Sequence, residues 1–445
     1  MSFDLRDLNM AIKTYVFAVV CFIHVTVMAV DDELLLPPTM APEEFDQPMV
    51  QPTGELSLKQ AIVLTLEHNP ELATYAWAIR SKEIDQIEAG LLPNPEATLG
   101  IENFAGSGET SSFKSAETTI ALSQLIELGE KRMKRRQLAS TDHDLARWDY
   151  EVKRVDLLTE TAKAFISVLS QQEMLAINNE IYSLANDVYT TINKRVEAGK
   201  ATRLEEMKAR VEVSRAKLES INVQRRLTTA KQALVTFWGT AEITFNDVIG
   251  DLHSSETPPN LNSIVSEINN NPDIGRWVTE ISREQHSVAL AQANTIPDVT
   301  VSAGVRHLNN SDDVAAVANI SIPLFLFNDK QSGVRRSNVE LERALKQKEV
   351  TELKIRSALK QNYQQLMILY DEVTVLRDEV LPVAEQAFVS AKKIYQLGKL
   401  DLLGLLDTQR IYFDVRKQYI ETVTAYRHMI VAIERLIGGG LDNSQ

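Results

Sequence analysis

A sequence unit of about 200 residues occurs twice in this chain, and this duplication limits the possible folds more than any other feature. Residues 69–72 read Asn-Pro-Glu-Leu and are matched by residues 271–274, which read Asn-Pro-Asp-Ile. In each copy another proline follows 25 residues after the first, at Pro95 and Pro297. Because equivalent sequences form equivalent structural units, the chain is predicted to fold as two similar halves.

Two short segments in each copy alternate between apolar and polar residues. The clearest is residues 298–307, where polar or small residues separate Val299, Val301, Ala303 and Val305. Period-two alternation is typical of a β-strand with one apolar and one wet face. The predicted strands are residues 96–103, 117–125, 298–307 and 314–323. Each copy therefore contributes one β-hairpin, over residues 96–125 or 298–323.

The remainder of each copy has helical periodicity. The first copy is predicted to contain a leading helix from the cap Ser57 to about residue 91, a long helix over 132–198 and a return helix over 203–238. The second copy repeats this plan, with a leading helix to about residue 293, a long helix over 331–397 and a return helix over 402–437. Pro382 is expected to kink the second long helix.

The apolar residues of the long helices recur at steps of three and four, which suits coiled-coil packing. At 1.5 Å per residue each long helix spans about 100 Å. One leading and one return helix together reach a similar length. We therefore expect a leading and a return helix to stack end to end beside each long helix.

The chain is predicted to divide into six segments. They are a signal peptide (1–29), an extended Pro-rich segment (30–56), the first repeat (57–238), a linker (239–259), the second repeat (260–438) and a flexible tail (439–445). Arg6 and Lys13 before the apolar run 14–27, with a cleavage site at Ala29, indicate the signal peptide; the run is short for a membrane span. Cys21, the only cysteine, lies in this run, so the mature chain would have no disulfide and no thiolate metal site.

The four predicted strands cannot form a stable sheet alone. A small open sheet is marginal in water, and in a membrane every sheet edge must be closed. An oligomer that combines the strands of several chains in one barrel satisfies both conditions. The predicted fold class is therefore mainly α, with long antiparallel coiled-coil helices and a small membrane β-barrel part.

The composition argues against nucleic-acid binding and against catalysis. The formal net charge is −14, whereas nonspecific nucleic-acid binding needs a basic surface. The basic run 131–136 lacks interleaved aromatic residues and is expected to form a ring of charge beneath the barrel. No P-loop, GxSxG, HExxH or dinucleotide-binding motif occurs, so no enzyme activity and no cofactor are predicted. No metal site is predicted either, because the histidines outside the signal peptide lack ligand spacing: His68, His143, His253, His286, His307 and His428.

The segment after the second strand carries the most specific motif. Residues 122–132 read Leu-Ser-Gln-Leu-Ile-Glu-Leu-Gly-Glu-Lys-Arg, and residues 92–95 read Leu-Pro-Asn-Pro. In these motifs and in the Asn-Pro repeats, over about residues 57–438, the chain resembles the TolC-like outer-membrane factors, especially the CzcC-like channels of heavy-metal efflux systems. The resemblance implies a homotrimer with a twelve-stranded barrel in outer-membrane lipid of a Gram-negative bacterium, continued by an α-helical barrel into the periplasm.

The same resemblance implies a function and partners. The chain would be the exit duct of a tripartite efflux system for heavy-metal cations, together with a periplasmic membrane-fusion adaptor and a proton-driven inner-membrane pump of the RND type. One alternative is a duct of the same fold for multidrug efflux or type I protein secretion. Another is a structural coiled-coil scaffold, which would leave the strands, the signal peptide and the duplication without a purpose.

The resemblance places adaptor contacts at the two turns between long and return helices. The expected contact residues are Arg195, Gly199, Thr202 and Leu204 in the first turn and Gly398, Lys399, Asp401 and Leu402 in the second. The alternative is that both glycines only terminate helices. The two interpretations are compatible, because a helix cap can also be a docking point.

A pore gate is expected near the second turn. Multidrug members of the family carry two aspartates here, three residues apart, whereas this chain has Gly404 at the first position and Asp407 at the second. The glycine argues against a double acidic gate. A three-fold ring of Asp407 carboxylates would still favour the passage of cations. The alternative is a solvated Asp407 that pairs with Arg410 one turn away.

Overall fold

The computed structural model describes residues 41–42, 45, 49–254 and 257–439. All described residues belong to one compact unit. The predicted signal peptide, more than half of the predicted N-terminal segment and nearly all of the predicted tail lie outside the described residues.

Strands and helices follow one another in the same order in both halves. The first half contains β1 (Gly54–Ser57), α1 (Leu58–His68), α2 (Pro70–Ala89), β2 (Glu96–Glu102), β3 (Glu117–Ile126), α3 (Lys131–Glu197) and α4 (Arg203–Val235). The second half contains β4 (Phe245–Ile249), α5 (Leu261–Ser266), α6 (Pro272–Ala293), β5 (Val299–Leu308), β6 (Asp313–Ser321), α7 (Gln331–Val375), α8 (Leu381–Gln396) and α9 (Leu402–Ile437). The predicted long helices, return helices and hairpin strands are all present.

The second long helix is interrupted where proline was expected to kink it. A π-helical turn, Leu376–Val380, separates α7 from α8 just before Pro382. Proline has no N–H for the regular helical ladder, and a local π turn accommodates that loss. The first long helix, α3, has no such interruption over its 67 residues.

The prediction of one continuous leading helix in each half is wrong. The helix breaks at Asn69 in the first half and at Asn271 in the second, each directly before a proline. The Asn69 side chain caps α2 by accepting the Leu72 N–H over 2.8 Å, and it donates to the carbonyl of Phe237 over 2.7 Å. The break therefore lets one side chain join the leading helix to the end of the return helix.

Asn271 has the same two roles in the second half. It accepts the Asp273 N–H over 2.8 Å and donates to the Leu436 carbonyl over 2.9 Å. Gly438, with φ of +73°, turns the chain here, and a β-carbon on it would lie 2.4 Å from the Asn270 carbonyl oxygen. The end-to-end arrangement of return and leading helices is thus present in both halves.

The four hairpin strands form one antiparallel sheet in the order β2-β3-β5-β6. The two halves meet at β3 and β5, where Glu117 lies opposite Leu308 and Ile126 opposite Val299. One face of the sheet is apolar and exposed; across it lie Leu99, Ile120, Val305 and Ala316 in register. The alternation read from the sequence is therefore correct.

The opposite face of the sheet is polar. Arg306 donates to the Glu117 carboxylate over 2.7 Å and to the Thr119 hydroxyl over 3.0 Å, and its guanidinium lies 3.4 Å from Glu102. Three neighbouring strands thus share one ionic cluster on this face. The sheet therefore has one polar face and one exposed apolar face.

The basic run at the start of α3 joins the sheet to the helices. Lys131 is buried, and its ammonium lies 2.7 Å from Asp298 at the start of β5. Asp298 also accepts the N–H of Leu128 over 3.0 Å, and Arg135 forms a two-pronged ion pair with Glu127. Two of the five basic side chains in this run, Lys131 and Arg135, are therefore paired with acids of the same chain.

Two short strands were not predicted. β1 and β4 pair in parallel, and Leu56, Phe245 and Val248 pack with Phe165 and Trp238 in one buried cluster. This pairing fixes the linker between the halves to the side of α3. Within the described residues, no helix is both long and apolar enough to cross a bilayer.

Candidate functional site at the paired helix tips

The two turns that connect long and return helices have the same geometry. The N–H of Gly199 donates to Val196 over 3.0 Å and that of Lys200 to Arg195 over 2.7 Å. In the second turn the N–H of Gly398 donates to Tyr395 and that of Lys399 to Ile394, over 2.9 and 3.1 Å. Both glycines have positive φ, +68° and +73°, as this type of helix ending requires. The glycines thus terminate the helices, as one interpretation of the sequence proposed.

The residues that follow each glycine cap the return helices. Thr202 and Glu205 form a reciprocal capping box at the start of α4. The backbone N–H and the hydroxyl of Thr202 both donate to the Glu205 carboxylate and hold its pKa below the ordinary value. At the start of α9 the Asp401 carboxylate accepts the N–H of Gly404 over 3.0 Å. Thr202 and Asp401, both expected contact residues, therefore have a structural role as well.

The structure brings the two tips into contact. The Arg195 guanidinium lies 5.8 Å from the centre of the Tyr395 ring, and its Nη1 donates to the Tyr395 hydroxyl over 3.4 Å. Beneath this contact, the two pairs of long and return helices share one buried apolar cluster. Its members are Val188, Ile192, Ala209, Phe388, Ala391, Leu402 and Leu405. Leu402 is therefore a core residue rather than a surface contact.

The remaining expected contact residues are exposed. Thr202, Leu204, Lys399 and Asp401 all face solvent in the described chain. Three large apolar side chains beside them, Met207, Leu397 and Leu403, are also exposed. These three were not expected as contact residues, because a helical apolar pattern does not distinguish core from partner-facing positions. Together with Leu204 they form an apolar tip surface.

The two expected gate residues have different environments. Asp407 is exposed on α9, and within the described residues it forms no ion pair with Arg410. Gly404 occupies the third position of the same helix, where a β-carbon would lie 2.8 Å from Leu400 Cδ1 and 3.0 Å from Asp401 Oδ1. Because Gly404 has no side chain, this chain has one carboxylate at the two expected gate positions, that of Asp407.

A groove lies between α3, α4 and α9, roughly 8–30 Å from the tips along the helices. It encloses about 490 Å³, and its charged lining residues are Glu212, Arg215, Glu219, Arg410, Asp414 and Lys417. Gln409 also lines it; this side chain is buried, and its Oε1 accepts no hydrogen bond within the described residues. Nothing in the sequence pattern distinguished these residues from ordinary helix-surface positions.

The histidines of the described chain are dispersed. His253 pairs with Glu173 over 2.9 Å, and this hydrogen bond raises the pKa of the imidazole despite partial burial. Burial lowers the pKa of His428, which interacts with the Lys163 carbonyl. In residues 49–254 and 257–439 no group of three or more His, Cys, Asp or Glu side chains is arranged to hold a metal ion.

Comparison with known proteins agrees with this architecture. The profile of the family described as outer membrane efflux protein matches residues 61–240 and 264–439, which correspond to the two halves. The chain is 29% identical to the cobalt-zinc-cadmium resistance protein CzcC of Cupriavidus metallidurans over 86% of its own length and 90% of that protein. It is 20% identical to the toluene efflux pump outer membrane protein TtgF of Pseudomonas putida, covering 87% of this chain and 84% of that one.

The fold is also that of a solved channel. A crystal structure of CusC superimposes with a TM-score of 0.72 at 16% identity and covers 91% of this chain and 100% of the other. Members of the outer membrane efflux protein family are trimeric, non-enzymatic channels that work with adaptors and inner-membrane pumps. Since the profile covers most of both halves, the chain belongs to the outer membrane efflux protein family and is a channel of the outer membrane whose tunnel extends into the periplasm.

Proposed function

We propose that this chain is the exit duct of a tripartite efflux system that exports heavy-metal cations. The observation that carries this proposal is its 29% identity to a cobalt-zinc-cadmium resistance protein over 86% of the chain. The likeness extends over 90% of that protein, so it supports a shared role rather than one shared segment. The inner-membrane partner would be a proton-driven pump of the RND type.

The duct itself performs no chemistry. Its work is to open a continuous passage, while the pump supplies the energy. A channel conducts well when its interactions with an ion are weak enough to release it. Dispersed histidines and the scarcity of clustered ligands in the described residues are compatible with passage of a metal ion.

The apolar tip surface, with Thr202, Lys399 and Asp401 around it, is the proposed docking point of the periplasmic adaptor. Large apolar side chains that remain exposed beside polar ones are typical of an interaction site. Leu204 and Leu403 are 61% and 68% exposed, and each lies two residues after the N-cap of its return helix. An adaptor that presents helical apolar residues would cover them.

Asp407 is the proposed selectivity residue of the closed end. Three copies of one exposed carboxylate would make a ring that attracts cations and repels anions. Gly404 contributes backbone geometry rather than charge, because its N–H serves the Asp401 cap. This single ring is weaker than a double one, because it has half as many carboxylates.

The experiment that tests the proposed function is deletion of the gene followed by complementation. The deleted strain should become sensitive to cobalt, zinc and cadmium, and the intact gene should restore tolerance. A variant with both Leu204→Glu and Leu403→Glu should reach the outer membrane but fail to restore tolerance. Unchanged metal tolerance in the deleted strain would contradict the proposal.

A second candidate cargo is a small apolar compound. The 20% identity to a toluene efflux protein over 87% of the chain supports it. The same deleted strain distinguishes the two candidates, since loss of solvent tolerance with unchanged metal tolerance would favour this one. We favour metal export because the identity to CzcC is higher over a similar length.

A further inference from the structure

The groove between α3, α4 and α9 has charged walls. Both return helices, α4 and α9, pack against α3, which contributes Ile181 and Ala185 to the lining of the groove. Each wall carries three charged side chains. They are Glu212, Arg215 and Glu219 on α4 and Arg410, Asp414 and Lys417 on α9. Spacings of three and four residues place the three charges of each wall on one face of their helix. Along each wall the sign of the charge alternates, and the order of signs on one wall is the reverse of that on the other.

Opposite charges lie at matching heights on the two walls. Both return helices follow a tip glycine, Gly199 or Gly398, and run away from the paired tips in the same direction. Counted from these glycines, the six side chains form three pairs: Glu212 with Arg410, Arg215 with Asp414, and Glu219 with Lys417. The members of the middle pair lie equally many residues after their glycines, and those of the other two pairs differ by one residue, or about 1.5 Å along a helix. Each charge on one wall therefore has an opposite charge level with it on the other wall of the same chain.

None of these three pairs is formed in the present structure, within the residues that it describes. Arg215 pairs instead with Glu212 one turn away on α4, over 3.4 Å. Glu219 pairs with Arg226, also on α4. The three groove residues of α9 form no ion pair within the described part of the chain, although Arg416 beside them pairs with Glu180 of α3. The charges of the two walls are thus complementary but separated by the groove.

A buried amide in the α9 wall gives an independent observation. Gln409 lines the groove and is 8% exposed, and its Oε1 is buried without a hydrogen-bond donor in the described residues. Buried acceptors in proteins normally have a donor, because leaving one unsatisfied is costly. Approach of the α4 wall would bring the N–H groups of Arg215 towards this atom, since a guanidinium has five such donors. The groove therefore contains an acceptor that a closer arrangement of the same helices would satisfy.

We propose that α4 and α9 move together over α3 in a second state of the duct, and that the three pairs then form a charge ladder between the two helices. In the present structure the helix tips are in contact while the ladder is unpaired. The paired ladder therefore belongs to the state in which the tips have separated. The six ladder residues are positioning residues, because they act on the passage through the helices that carry them.

The ladder gives the open state contacts of its own. Separation of the tips breaks the contact between Arg195 and Tyr395, and pairing across the groove offsets part of that loss. Glu212, Glu219 and Lys417 are already half-buried, so their pairs would be less screened by water than pairs on an open surface. This inference rests on the proposed function, because only a duct that opens and closes needs a second state. It adds the side-chain contacts of that state.

Exchange of the charges in the middle pair tests the ladder in the full-length protein. Arg215→Asp and Asp414→Arg each place like charges at the same height on the two walls. Each should therefore lower the fraction of open channels in planar bilayers, by roughly five-fold. The double variant Arg215→Asp with Asp414→Arg has opposite charges again, in the reverse order, and should return the open fraction to within about two-fold of that of the unmodified channel.

Arg210→Asp is the matched control, because Arg210 is an exposed arginine of α4 outside the lining of the groove. It should leave the open fraction unchanged, and combined with Asp414→Arg it should not restore opening. If a variant of the middle pair forms no channels, the exchange Glu219→Lys with Lys417→Glu applies the same test to the third pair. Single reversals without effect, or an exchange that fails to restore opening in channels of normal conductance, would overturn the ladder. Unmodified protein that forms no channels would instead overturn the proposed function.

Discussion

At the scale of single residues, the two tip glycines are needed for their backbone conformation alone. Gly199 and Gly398 have φ of +68° and +73°, and no heavy atom lies within 4 Å of a β-carbon built on either. Alanine at either position should therefore destabilise its turn by about 1–2 kcal/mol, the cost of a left-handed non-glycine residue. Local hydrogen exchange at the tips measures this.

Gly333 is the matched control for these substitutions. It also has open space around a built β-carbon, but it lies inside α7 without a positive φ. Gly333→Ala should therefore stabilise its helix by about 0.5–1 kcal/mol. Equal effects at all three glycines would contradict the conformational explanation of the tips.

Asp407 gives a second prediction at this scale, on ion selectivity. A carboxylate near a passing cation in water contributes about 1 kcal/mol, so its removal should lower the preference for cations over anions by roughly five-fold. Reversal potentials of Asp407→Asn channels in planar bilayers measure this ratio. Glu421→Gln, an exposed acid of the same helix, should leave it unchanged. An unaltered ratio and unaltered block by divalent cations in Asp407→Asn would remove this residue from the gate.

At the scale of elements, each Asn-Pro pair holds a return helix against a leading helix. Asn69→Ala removes an N-cap, worth about 1 kcal/mol, and leaves the Phe237 carbonyl without its donor, at a similar cost. We expect Asn69→Ala and Asn271→Ala each to destabilise their junction by about 2 kcal/mol. Hydrogen exchange at the starts of α2 and α6 measures the loss.

Asn338 is the control for the junction asparagines. It is exposed on α7, and its side chain donates only to the Val334 carbonyl of its own helix, over 2.8 Å. Asn338→Ala should be neutral or slightly stabilising, because alanine has the higher helix propensity. Junctions that keep full protection after Asn69→Ala would mean that packing alone holds the helices together.

The success of sequence-based prediction differed between elements for physical reasons. The bounds of α9 were predicted correctly because Asp401 and Gly438 are local signals that act within one turn. The break at Asn69 was missed because the Asn69 side chain donates to the carbonyl of Phe237, which is 168 residues away. The pairing of β1 with β4 was missed for the same reason, since both strands are short and their partner lies in the other half.

Sequence-based prediction of the tip residues had a similar limit. The repeat located both turns, and the caps could be read from glycine and from the Thr and Asp that follow it. The burial of Leu402 and the exposure of Leu403 could not be read, because adjacent leucines in an apolar run are distinguished only by what packs against them. The partner of Arg195 was also out of reach, as Tyr395 lies 200 residues further on.

At the scale of the whole molecule, we propose that the duct opens when the two helix tips separate or shift. The Arg195–Tyr395 contact is the exposed polar connection between them, above a shared apolar cluster. Arg195→Ala removes both the hydrogen bond and the cation–π contact, together worth about 1–2 kcal/mol, and should increase the fraction of open channels several-fold. Single-channel recordings in planar bilayers measure this fraction.

Arg203→Ala is the control for this prediction. The Arg203 side chain is 85% exposed, and within the described residues it pairs with Glu206 of its own helix. It removes the same charge from the same turn without touching the second hairpin. An increase in open channels for Arg195→Ala but not for Arg203→Ala would show that the Arg195–Tyr395 contact stabilises the closed state. An unchanged fraction of open channels in both variants would place the closure in the buried cluster around Ile192 and Leu405, which both variants leave intact.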